Sequence, residues 1–73
     1  MFTVKWIVHK NESQPVDSEV LTLNSLNALV ALCQSRLPVV RHKFPRNPPD
    51  GFIVLDGSAT EVRRWIEPHL RTH

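Results

Sequence analysis

Residues 50–68 read Asp-Gly-Phe-Ile-Val-Leu-Asp-Gly-Ser-Ala-Thr-Glu-Val-Arg-Arg-Trp-Ile-Glu-Pro. The apolar run Phe52–Leu55 lies between Asp50-Gly51 and Asp56-Gly57, punctuation that marks a short strand. Ser58, followed three residues later by Glu61, fits the capping box, in which each side chain satisfies the other's backbone amide. Val62, Trp65 and Ile66 then recur at helical spacing, and Pro68 ends the element. The stretch therefore predicts a strand followed by a helix, and it sets how many layers the fold has.

Upstream, residues 2–10 alternate. Phe2, Val4, Trp6 and Val8 point one way, and Thr3, Lys5, Ile7 and His9 the other, which predicts a strand with one strongly apolar face. Residues 11–15 are turn material, and residues 18–23 predict a second strand closing an antiparallel hairpin. From residue 25 to 37 the period changes: Leu26, Leu29, Val30, Cys33 and Leu37 recur at threes and fours. Asn24 or Ser25 is the expected N-cap, and Pro38 the expected stop. The polar side of this helix is thin, made of Asn27, Gln34, Ser35 and Arg36. Residues 38–51 read as a long Pro-rich basic connection, with room for one more helical turn over Val39–Phe44. The tail 69–73 is expected to fray.

The predicted fold is thus one α+β domain over residues 1–73, in the order β-β-α-β-α. It is a three-stranded sheet with two helices on one face, strand 1 central and strand 3 antiparallel beside it. The chain has 73 residues, which allows one small domain. Its single cysteine closes no internal disulfide, and no apolar run is long enough to span a bilayer. Without a signal-peptide pattern, the expected setting is the cytoplasm, in a bacterial cell.

Two helices cover one face of a sheet, yet strand 3 offers Phe52 and Val54 to one face and Ile53 and Leu55 to the other. Ile7 adds to the second face. A copy of the chain is the expected cover, so Ile7, Ile53 and Leu55 are the candidate self-association residues of a homodimer. The alternatives are that Val39, Val40 and Phe44 of the connection fold beneath the sheet, or that an edge strand makes the contact.

The chemistry of a catalytic or metal site is thin. Cys33 sits on the apolar helix face and reads as core, and Ser58 reads as a cap. His69 and His73 share helical spacing, but no Cys joins them to complete a metal site. The expectation is no enzyme, no metal and no cofactor. Net charge is +2, and residues 20–49 hold Arg36, Arg41, Lys43 and Arg46 with no acid. Arg41, Lys43, Phe44 and Arg46 are therefore the candidate partner-facing residues, for a protein or, alternatively, for nucleic acid through phosphate contacts and ring stacking. The function expected is an association or protein-interaction module that self-associates through its open sheet face. The alternative is a weak nucleic-acid-binding or regulatory protein using residues 36–46.

Overall fold

A computed structural model describes residues 1–68. The elements are β1 (Phe2–Ile7), β2 (Asp17–Leu21), α1 (Leu26–Lys43), β3 (Gly51–Leu55) and β4 (Glu61–Ile66). They form a four-stranded sheet of order β2-β1-β3-β4, every neighbouring pair antiparallel, with one helix across one face. The expected fold of three strands and two helices is corrected on this point. Strand 1 is central, with β3 antiparallel beside it, as its length and apolar face imply.

The correction falls on residues 58–66. Ser58 caps no helix. Asp56 Oδ1 instead accepts the Ser58 and Thr60 amides at 2.8 and 3.0 Å, and the Asp56 amide donates to the Thr60 carbonyl at 2.9 Å. Ala59, at φ 62°, takes the left-handed turn that folds β4 back on β3. Past Val62, which the register leaves as an extra residue between the Leu55–Glu61 and Val54–Arg63 pairs, the side chains alternate. Trp65 faces the helix side with Phe52, its ring stacked on that of Phe52 at 5.7 Å, while Arg64 and Ile66 face away. Val62, expected on a helix with Trp65 and Ile66, is an exposed strand residue, and those two are half-buried.

Ser25 is the N-cap, its Oγ accepting the Ala28 amide at 3.3 Å. The helix does not stop at Pro38 but runs through it to Lys43, taking the first part of the expected connection. Pro38 is exposed, so the carbonyl of Gln34, four residues earlier, loses its helical donor on a water-facing side. Leu29, Cys33, Leu37 and Val40 bury their side chains against Val4, Trp6, Phe52 and Val54. Full burial of each such side chain is worth roughly 1.5–3 kcal/mol over leaving it in water. Phe44 packs at the rim of this cluster and Val39 points to solvent, so neither folds beneath the sheet.

The opposite face is closed by the chain itself around β3. Ile7, Gly51 and Ile66 form one row across three strands, and Lys5, Ile53 and Arg64 the next. A Cβ on Gly51 would stand 2.6 Å from Ile66 Cδ1, so Ile66 fills the space between its own strand and Ile7. Arg64 reaches Glu12 of the β1–β2 loop at 2.9 Å and Glu61 at 3.0 Å, tying that loop to this side. Ile7 is 0% and Ile53 8% exposed. The expectations for residues 69–73, including His69 and His73, lie outside the described residues.

Candidate functional site

The densest polar arrangement sits where β1 ends and β3 begins. Asp50 is 7% exposed, the one buried charged residue among those described. Its Oδ1 accepts the His9 backbone amide at 2.8 Å, and its Oδ2 meets Nδ1 of the His9 imidazole. Its backbone amide donates to the Ile7 carbonyl at 3.0 Å, and its carbonyl accepts the Glu67 amide at 2.8 Å. Glu67 in turn lies 3.7 Å from Arg41 of α1. One aspartate thus joins three strands at one end of the sheet, and the next link reaches the helix. The alternation over residues 2–10 places His9 within the first strand. It lies beyond β1 instead, its ring half-buried against Asp50.

An aspartate orienting an imidazole is two-thirds of a hydrolytic triad, which also needs a hydroxyl or thiol on the Nε2 side. Four of the described nucleophiles have other places. Cys33 is fully buried in the helix–sheet core, where burial, aided by Glu19 and opposed by Arg36, pushes its thiol up to about 11. Ser58 is held in the Asp56 turn, Ser13 donates to Asn11, and Ser35 donates to the Leu32 carbonyl. The His9–Asp50 pair ties the end of β1 to the start of β3. Among the described residues no group of three or more His, Cys, Asp and Glu side chains could hold a metal ion.

The candidate basic residues gather at the helix C-terminus and the turn after it, with different surroundings. Arg41 and Lys43 belong to the last turn of α1, where cations complement the partial negative charge of the unpaired carbonyls. Arg41 is half-buried and paired with Glu67. Lys43 is exposed with its Nζ 6.0 Å from the Phe44 ring centre, and Arg46 is exposed in the following turn. Phe44, the C-cap residue, turns its ring toward the core rim, which leaves it half-available for stacking. An open cleft of about 740 Å³ lies alongside, lined by Pro38, Arg41, His42, Pro45, Pro48 and Glu67. The three candidate sheet residues separate likewise: Ile7 and Ile53 are buried within the single chain, and Leu55 keeps partial exposure.

The exposed large apolar residues lie elsewhere: Met1, Val20, Leu32, Val39 and Val62. Two of them share the outer side of α1. Among the described residues no helix is long and apolar enough to cross a membrane.

The chain matches no family model, curated protein or solved structure.

Proposed function

We propose that this chain is a small non-catalytic association module whose first partner is a second copy of itself. The observation that carries the reading is the outer side of α1. Ala28, Ala31, Leu32, Ser35, Pro38 and Val39 all face water and none is charged, with Leu32 37% and Val39 68% exposed. A water-facing helix side normally carries charged residues, and here they appear only at the C-terminal end, as the exposed His42 and Lys43. The core is small, so a shared interface adds stability that one chain of this size gains with difficulty.

Sedimentation across a concentration series from low to several hundred micromolar tests it. A rise to twice the chain mass is the expected result. A chain that stays at its single mass throughout overturns self-association. Titration with single- and double-stranded oligonucleotides at low salt runs alongside, and a salt-steep affinity that Lys43→Ala and Arg46→Ala flatten would replace the reading with nucleic-acid binding.

A further inference from the structure

A cleft of about 420 Å³ lies between the β1–β2 loop and the turn that follows α1, a size common for small-molecule sites. The loop lines it with the carboxamides of Asn11 and Gln14 beside apolar Val8 and Val16, and the turn adds the Phe44 ring and the Asn47 carboxamide. No charged side chain lines it. Each carboxamide carries two donor hydrogens and an acceptor oxygen. Asn11 Nδ2 donates to Gln14 Oε1 across a long 3.4 Å, and Ser13 Oγ donates to Asn11 Oδ1 at 3.1 Å. The Asn47 carboxamide has no partner among the described residues. Much of the hydrogen-bonding capacity of the three is therefore open.

Both walls are held in place. The Asn11 amide donates to the Val8 carbonyl and the Val16 amide to the Trp6 carbonyl, each at 2.8 Å, and the Asn47 amide donates to the Phe44 carbonyl at 3.2 Å. His9 begins the loop and Asp50 ends the other connection, so the buried tie between them fixes one wall against the other. A site set in advance loses less to ordering when it binds.

Phe44 and Asn47 also line an adjoining cleft of about 260 Å³, together with Lys43 and Arg46. Neither cation has a carboxylate partner among the described residues, and Glu12, the one acid of the β1–β2 loop, is engaged by Arg64. A neutral cleft of carboxamides and one ring thus opens onto an unpaired cationic rim. A nucleobase presents a flat face for a ring and a donor–acceptor edge that Asn and Gln match, and its phosphate seeks Lys and Arg.

We infer that this is the site of one free nucleoside monophosphate. Its base lies against Phe44 and bonds to Asn11, Gln14 and Asn47, and its phosphate rests on Lys43 and Arg46. A single strand is held by successive stacking rings along a basic track, whereas Phe44 is the one aromatic side chain in either cleft. The site is separate from the outer side of α1 and does not depend on self-association.

Calorimetric titration of the full chain in dilute buffer tests it, using the monophosphates of adenosine, guanosine, cytidine and uridine, with ribose 5-phosphate as the control. At least one nucleotide should bind about tenfold or more tightly than ribose 5-phosphate, the margin that base stacking and pairing supply. Asn47→Ala, an exposed change whose fold circular dichroism checks, should shrink that margin and leave ribose 5-phosphate unaffected. Lys43→Ala combined with Arg46→Ala should weaken the nucleotide while leaving the affinity of its parent nucleoside unchanged. Equal binding of nucleotide and ribose 5-phosphate, or a margin untouched by Asn47→Ala, overturns the base seat. A chain that binds no nucleotide overturns the inference outright. A tetranucleotide bound far more tightly than every monophosphate, with a steep salt dependence, overturns it in favour of single-stranded nucleic acid.

Discussion

Ile66 lies across Gly51, its Cδ1 2.6 Å from where a Cβ on that glycine would stand, and the Trp65 carbonyl oxygen is closer still at 2.4 Å. The glycine has no positive φ, so it is required for space and not for backbone freedom. The close approach lets β4 bring Ile66 over the row that ends in Ile7. Gly51→Ala must push backbone aside and is expected to cost about 1–3 kcal/mol, the usual range for overpacking. For a chain this short each kcal/mol lowers the thermal midpoint by about 4–8 °C. Gly57 makes the control: nothing lies within 4 Å of its added Cβ, so Gly57→Ala should move the midpoint far less.

The β3–β4 turn makes a second prediction with opposite signs at neighbouring sites. Ala59 holds φ 62°, a region that costs a non-glycine residue about 1–2 kcal/mol. Ala59→Gly relieves this, less the roughly 0.4–1 kcal/mol that glycine's freer unfolded state takes back. A small net gain in urea midpoint is expected. Asp56→Ala removes the acceptor of the Ser58 and Thr60 amides and should lose about 1–2 kcal/mol. A stabilised Asp56→Ala would contradict the turn described.

Cys33 should be chemically silent in the native protein. Its thiol is buried and pushed up to about 11, so the reactive thiolate is scarce at neutral pH. Labelling with a thiol reagent at pH 7.5 should proceed at the rate of unfolding in native buffer, and be complete within minutes in strong urea. Rapid native labelling would show that α1 lifts from the sheet.

The Arg64 cluster has a defined pH signature. Hydrogen bonding to Arg64 holds the Glu61 carboxyl below its usual 4.5. A carboxyl lowered by folding stabilises the native state above its unfolded value, and that contribution is lost as pH falls through the folded one. Glu61 is exposed, which limits the effect to about 0.2–1 kcal/mol, less in high salt. The stability advantage of wild type over Glu61→Gln should therefore be measurable at pH 7 in dilute buffer, and vanish both near pH 3 and in 1 M salt. An advantage that grew toward low pH would reverse the sign argued here.

The central position of β1, the hairpin it makes with β2, the Ser25 cap and the apolar stripe of α1 were legible because each rests on local periodicity or a single side chain beside its own backbone. Residues 62–66 were not, because Val62, Trp65 and Ile66 satisfy helical spacing as well as Arg64–Ile66 and Arg63–Trp65 satisfy alternation. Ser58 and Glu61 then tipped the balance toward a cap that Asp56 makes unnecessary. The segment's shortness and its β-branched and aromatic residues were the signals that favoured a strand. Pro38 misled in the other direction, since a proline on the water side of a helix already anchored by Leu37 and Val40 forfeits one hydrogen bond without ending it. The tie between His9 and Asp50 had no sequence signal: the two meet only because β1 and β3 are neighbours. Strand 3 is buried from Gly51 to Val54 within the single chain, with Ile66 and the Glu12–Arg64 link on the side away from the helix.

The middle strand of this sheet emerges from the ribosome long before its second neighbour. Until Gly51–Leu55 has been translated, Val4 and Trp6 have only β2 and an undocked helix for company, and one flank of β1 offers its backbone groups to any extended segment nearby. Nascent chains halted before β3 should therefore be the ones that clump or recruit chaperones, and the sheet is finished only when Gly51–Leu55 settles beside β1 and Glu61–Ile66 follows at the outer edge.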